Sequence, residues 1–406
     1  MAWRQAWHLI GRSQGTMRLF GLLVMLMAHA SAAESFQGCP DSPQGLAVAE
    51  AAAAGVKDQG TPFVFQARVV HGCPDDSSGE SCKNPVPPEW RQLCSFDPSA
   101  GGGWAKAMIC DDQRKQGIVK YVRERGIPGF DEMQRFSACD IWPLIKGKTL
   151  WIVGDSHSFD LARAAACFFL PLWDFDFEGA LPYASESAAF EHLEKHVENY
   201  KPPACFPLLE ATMVCQIRVN KGQMFRDHVL PLIKRMAKPT DIAVMNFAHW
   251  HNGWEGHEYK DLLQAFRDEV AASAAELPHI IWKEMVPTHF KHLHGSYKGG
   301  DPPFECGPLN VTLQQDGTLK AGDEVNELLV QGGAHNRAAR EMFAGSDIII
   351  TDSWNATVEL YDYHRNMPNG LHECGHYCFP GVPEMWLYYV YKAIQSAPWA
   401  WEGYIR

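Results

Sequence analysis

The sequence predicts an α/β protein: a three-layer arrangement, with a parallel sheet flanked by helices over residues 148–406, behind a cysteine-rich N-terminal segment over 33–147. Three observations carry that expectation. After Lys148, apolar runs of strand length alternate with amphipathic stretches of helix length, the pattern of strands joined by helical crossovers. One of those runs, Leu150-Trp151-Ile152-Val153, passes directly into Gly154-Asp155-Ser156 and then a helical stretch. Before Gly147 the chain is instead rich in Cys, Pro and Gly, with Pro85-Val86-Pro87-Pro88 and Gly101-Gly102-Gly103 as punctuation and little periodicity.

The strands are expected at Thr149 to Val153, Thr212 to Val219, Ile242 to Asn246, His279 to Glu284 and Asp347 to Thr351, with a short edge strand at Asp174 to Phe177. Helices are expected at Leu161 to Phe169, Glu186 to Tyr200, Phe225 to Ala237, Tyr259 to Glu276 and Val325 to Phe343. A last helix should begin near Pro383, because proline suits a first helical turn. A chain of 406 residues with 46% hydrophobic content can bury a full core.

Composition also excludes. A net charge of -12, from 48 acidic and 36 basic side chains with no basic stripe, argues against a nucleic-acid partner. Residues 1–32 read as a signal peptide: Arg4, Arg12 and Arg18, the apolar run Leu19 to Met27, then Ala30-Ser31-Ala32. A short uncleaved signal anchor is the alternative, and the only membrane contact expected. All 12 cysteines lie beyond residue 32, and an even count there favours disulfides in an oxidising compartment. The sequons at Asn310 and Asn355 agree as glycosylation sites.

Ser156 stands where the carboxyl edge of a parallel sheet meets a helix N-terminus, a site suited to ligands and to an oxyanion. It is a candidate nucleophile; the competing reading is that Asp155 and Ser156 only cap the helix. A serine needs a base, and the base an orienting carboxylate. Near the C-terminus Glu373 and His376 are three residues apart, a spacing that lets both side chains share one side of a turn. Cys374 and Cys378 bracket His376, and a disulfide from either would fix that loop. A Cys/His zinc loop is the competing reading, disfavoured in an oxidising compartment. His372 is the rival base but has Asn369 three residues upstream. The strand ending at Asn246 places an amide beside the serine turn, where it can join the Ser156 N–H as an oxyanion donor. His249 and His251 form a His-x-His pair with no third metal ligand in view, so no metal is assigned; His157 and Trp250 are taken as substrate-side residues, Trp250 stacking on sugar.

These residues resemble the trichome birefringence-like proteins and the wider PC-esterase group of SGNH enzymes. The resemblance rests on the Gly154-Asp155-Ser156 turn, the strand ending in Asn246, and Glu-Cys-x-His-Tyr-Cys-x-Pro-Gly-Val-Pro-Glu-x-Trp over residues 373–386. Family members usually carry Asp-Cys-x-His-Trp-Cys-Leu-Pro-Gly-Val-Pro-Asp-x-Trp there. Phe136-Ser137-Ala138-Cys139-Asp140, and more weakly Gly103-Trp104, resemble the family's Cys-rich module.

The resemblance implies an SGNH-hydrolase-like fold and O-acetyl transfer to polysaccharide hydroxyls in the Golgi, or hydrolysis of such esters outside it. The expected route runs through an acyl-serine: Ser156 as nucleophile, His376 as base and acid, Glu373 as orienting carboxylate and Asn246 at the oxyanion. An inactive polysaccharide-binding member is the further alternative. No bound cofactor is expected beyond an acetyl donor such as acetyl-CoA or an acetylated intermediate. Three departures stand out: Glu373 replaces aspartate, His157-Ser158-Phe159-Asp160 replaces Leu-x-Arg-Asn, and no second oxyanion glycine is assigned, Gly179 being a guess.

Overall fold

The structure, a computed structural model, describes residues 112–125, 127–169, 172–174, 204–251, 257–297, 303–366, 372–378 and 381–401. The expected signal peptide, most of the cysteine-rich segment, the helix expected over 186–200, residues 175–177 of the expected edge strand and Gly179 lie outside the described residues.

Three helices precede the sheet: α1 (Asp112–Arg125), α2 (Phe130–Arg135) and α3 (Ala138–Ile145). The sequence reading missed them, for physical reasons. In α1 charged and polar residues dominate, and α3 carries Pro143 inside its eight residues. Tertiary burial of Ile118, Val122, Phe130, Met133, Ile141 and Trp142 holds them instead of local periodicity.

Strand β1 (Thr149–Gly154) leads into α4 (Ser156–Phe168). There follow β2 (Ala204–Leu208), β3 (Thr212–Arg218), α5 (Leu230–Met236) after a π turn at Phe225–Val229, β4 (Ile242–Met245), α6 (His257–Ala272) and β5 (His279–Trp282). The hairpin β6 (Val311–Leu313) and β7 (Leu319–Ala321), then α7 (Gly333–Phe343), β8 (Ile349–Ile350), β9 (His364–Asn366), β10 (His372–Tyr377) and α8 (Val382–Ser396), complete the order.

The five expected strands are β1, β3, β4, β5 and β8, and they are parallel; β2 adds an antiparallel edge, giving the order β2-β3-β1-β4-β5-β8. Pro207 lies in β2, and proline is tolerated in a sheet at its edge, where one face of the strand needs no partner. Cys205 and Cys215 are paired across β2 and β3 by a disulfide. The helix expected over Val325 to Phe343 is broken at Gly332 and Gly333, whose φ values of +81° and +77° fall in the left-handed region.

Alternation along the strands divides the interior in two. Leu150, Ile152, Val214, Val244 and Ile281 face a core shared with α3, α4 and α8, while Trp151, Val153, Ile217, Met245 and Trp282 face one shared with α5, α6 and α7. The sheet is thus covered by helices on both sides. From β1 the chain turns toward β3, and from β4 it turns the other way toward β5, so the connections diverge between these neighbours. In an open α/β sheet that divergence opens a crevice at the carboxyl ends, here under Ser156 and Asn246.

Gly154, at the end of β1, lies tightly against the chain that follows β4. Its φ is +154°, and a methyl group there would overlap the carbonyl oxygen of Asn246 and the side chain of Ser158. Gly154→Ala should therefore destabilise the protein by about 1–3 kcal/mol, read as a lower urea midpoint with an unchanged slope.

Candidate active site

Asp155 is the N-cap of α4, its Oδ1 accepting from the His157 N–H at 3.0 Å. Asp155, and not Ser156, does the capping, which leaves the serine hydroxyl uncommitted. From Leu150 to Phe169 every residue is buried except Ser156, which is partly exposed. A lone accessible hydroxyl thus sits at the mouth of the β1–β4 crevice.

Glu373 and His376 come from β10, which pairs with β9 through a register irregularity between His372 and Tyr377. In a regular strand, residues three apart would face opposite sides. The irregularity folds the chain back: Glu373 Oε1 accepts from the N–H groups of Gly375 (3.2 Å) and His376 (3.0 Å). The His376 Nδ1 lies 2.7 Å from Oε1 and 2.8 Å from Oε2. Because a carboxylate only accepts, Nδ1 carries the hydrogen, and in the neutral ring Nε2 then presents its lone pair. Cys374 is buried and joined to Cys306 by a disulfide, so the segment is tied to the loop that follows β5. All seven described cysteines are disulfide-bonded, as in proteins of an oxidising compartment.

Arg365 is a site residue that sequence reasoning missed. Its Nε donates to Glu373 Oε2 at 3.2 Å, and Nη1 lies 3.6 Å from the buried Asp160, which also faces Arg163 at 3.6 Å. Asp160 belongs to the stretch that departs from the family's Leu-x-Arg-Asn. Burial raises the Glu373 pKa, but the His376 ring, Arg365 and the main-chain donors outweigh it and hold the carboxyl at about 2.

Three imidazoles form a row. His376 stacks on His157 (centroids 4.8 Å, planes 10° apart), and His157 stacks on His249 (4.1 Å, 18°). Trp386 meets His157 edge-on at 5.9 Å, and the ammonium of buried Lys283 lies 4.4 Å above the Trp386 ring. Burial lowers the His157 pKa well below the ordinary imidazole range, and neighbouring histidines and cations push the same way. Burial also lowers His249 to about 4, against the pull of Asp155. Both rings are therefore neutral near neutral pH. Burial brings Lys283 down to about 8. Nothing in the residue pattern distinguished Lys283 or Arg365; only the fold brings them here.

Among the described residues, neither Ser156 Oγ nor His376 Nε2 makes a hydrogen bond, although His376 packs on the residue after Ser156. Unligated sites often tighten such contacts only with substrate bound. Asn246 is buried and clamps the sheet: Nδ2 donates to the Lys283 carbonyl at 2.6 Å and Oδ1 accepts from Ala248 at 2.8 Å. One of its two amide N–H groups is thus used. Trp250 is 48% exposed at the rim. His251 Nε2 accepts from the Gly222 N–H at 2.9 Å, so the two rings of the His-x-His pair face different partners. The His372 side chain lies outside the described residues. Asn310 is exposed, its amide donating to Asp323, whereas Asn355 donates to the Gly317 carbonyl beside a fully buried Thr357.

A carboxyl held at about 2 in the folded protein against an ordinary 4.5 contributes stability that is present above about pH 4.5 and lost as pH falls toward about 2. The contribution is on the order of 3 kcal/mol. Denaturation of wild type and Glu373→Gln across that window should show the wild-type advantage shrinking with acidification; parallel curves would refute the linkage.

No family model matches the chain. Over 305 residues the chain is 23% identical to protein trichome birefringence-like 42 of Arabidopsis thaliana, an alignment that covers 68% of this chain and 79% of that protein. Together with the motifs at Ser156 and at 373–386, this marks the chain as a distant homologue of the trichome birefringence-like proteins.

Proposed function

We propose that this protein is an SGNH-type acyltransferase of the secretory pathway, moving an acetyl group onto hydroxyls of a polysaccharide through an acyl-Ser156 intermediate. The observation that carries the reading is the Glu373–His376 unit, with Nδ1 fixed by the carboxylate, a buried Nε2 left unpaired and the ring packed on His157, the residue after the partly exposed Ser156. The distant homology supplies the acetyl and polysaccharide parts of the proposal, and the disulfides agree with a lumenal or extracellular setting.

In the proposed sequence, His376 Nε2 takes the Ser156 hydroxyl proton as Oγ attacks the donor's acyl carbonyl. The developing oxyanion is met by the Ser156 N–H, at the start of α4, and by the second amide N–H of Asn246. The donor's leaving group departs with the proton from His376, and acyl-Ser156 remains. A sugar hydroxyl, deprotonated by His376, then attacks the acyl carbon, and the serine leaves as the ester forms on the acceptor. Glu373 stays ionised throughout and stabilises the imidazolium. Water in place of the sugar hydroxyl gives an esterase. Trp250 and His157 are the proposed substrate-side residues, and the catalytic unit is the 148–406 domain, entering the pathway by a signal sequence over 1–32.

Incubating the purified protein with an acetylated chromogenic ester, with and without an oligosaccharide acceptor, tests this directly. Acetylated acceptor is the expected product; free acetate alone would identify an esterase, and no turnover a binding protein. A fluorophosphonate should label Ser156, and labelling that survives Ser156→Ala but not denaturation would overturn the assignment. Turnover should fall roughly 10⁴-fold or more in Ser156→Ala, and about as far in Glu373→Gln if the wrong tautomer results. Asn246→Ala should lose about 100- to 1,000-fold.

A further inference from the structure

Beside β10 lie two histidines with no part in the proposed chemistry. His289 and His364 are fully buried, and His289 Nδ1 is 2.7 Å from His364 Nε2. The outer nitrogens are also engaged: His289 Nε2 is 2.9 Å from the Val358 carbonyl oxygen, and His364 Nδ1 is 2.9 Å from the carbonyl oxygen of His376 itself. A carbonyl only accepts, so each outer nitrogen must carry hydrogen. Two neutral imidazoles have one N–H apiece, and both are thereby committed. Yet the inner nitrogens stand at hydrogen-bonding distance, where two bare lone pairs would repel.

We propose that His289 and His364 share a third proton as a buried imidazole–imidazolium pair, and that the pair positions His376 by holding its main-chain carbonyl. The positioning role rests on the reading of His376 as the base; the proton count does not. Tyr377 favours placing the extra proton on His289. Its hydroxyl donates to the Pro287 carbonyl at 2.7 Å, so at 3.4 Å from His289 Nδ1 the phenol oxygen can only accept. The Tyr377 ring stacks on His364 at 4.2 Å, and Tyr361 lies 6.4 Å from His289.

Burial opposes the third proton, lowering His289 to about 4 and His364 well below the ordinary range. Around His364 the proximity of His289 and His376 lowers its pKa further, while the Glu373 carboxylate raises it. The three short contacts offset burial only together, since loss of the shared proton leaves one of them without a hydrogen. As pH rises and that proton leaves, either the His376 carbonyl or the Val358 carbonyl loses its donor, or the inner contact turns repulsive.

The experiment uses full-length Ser156→Ala protein with nitrogen-15 labelled histidine, so that its outcome does not depend on turnover. At neutral pH one of the two rings should show both nitrogens protonated, and raising the pH should remove that proton while shifting the His376 carbonyl carbon at the same midpoint. Two neutral rings at neutral pH would overturn the shared proton; a His376 carbonyl signal indifferent to its loss would overturn the positioning role. These readouts need no further variant. In the active protein, His364→Phe, which keeps a ring against Tyr377, should lower kcat about 100-fold with little change in KM, the effect of a misplaced base. Loss of the ring-proton signature with kcat unchanged would again remove the positioning role. Absence of turnover in the wild-type protein would sink the acyl-transfer reading and leave the proton count standing.

Discussion

The carboxylate of Glu373 gathers four donors: the His376 ring, two main-chain N–H groups and Arg365. Charge-assisted bonds of this kind are roughly twice as strong as neutral ones, and a carboxylate so satisfied can remain ionised while mostly buried. Removing the charge would release the fold of β10, the tautomer of His376 and one partner of Arg365 together, and Arg365 in turn faces Asp160 on the helix that begins at Ser156. The line Asp160–Arg365–Glu373–His376 joins the α4 element to the β10 element by electrostatics, where the sheet itself offers no strand between them.

That line has meaning only because the sheet opens where it does. Ser156 and Asn246 end adjacent strands whose connections leave in opposite directions, and Gly154 lets those strand ends touch. The floor beneath is aromatic and cationic: Trp386 from α8 lies between the Lys283 ammonium and the edge of His157. Burial keeps His157 and His249 neutral, so the row of rings that ends in His376 adds apolar contact without adding charge. The His376 ring is thus stacked on a neighbour that does not compete with it for a proton.

The parallel strands were legible because each is a short apolar run, and β1, β3 and β4 begin within a residue of where the pattern places them. The Glu373–His376 contact was legible because the two residues are close in sequence. What was not legible depended on distance along the chain. Arg365 and Lys283 look like ordinary charged residues until β9 and β5 carry them to the same spot, and the pair His289–His364 spans 75 residues. Helices α1 to α3 were hidden because α1 is mostly polar, α2 spans only six residues and α3 carries Pro143. The three-residue spacing of Glu373 and His376 was read as a turn, whereas a strand irregularity brings the two side chains together.

That irregularity also explains how a glutamate side chain reaches Nδ1 of His376. The longer side chain has to fold back on its own strand to bring the carboxylate under Nδ1 of the residue three positions on. The residue beneath the fold is Gly375, and a Cβ there would stand only 2.8 Å from Glu373 Oε1. Any larger side chain would push the carboxylate away from His376 and from the two N–H groups that anchor it. Glu373 and Gly375 are therefore one physical solution: the added methylene requires room, the missing side chain provides it, and Arg365 and the Cys306–Cys374 disulfide hold the result in place.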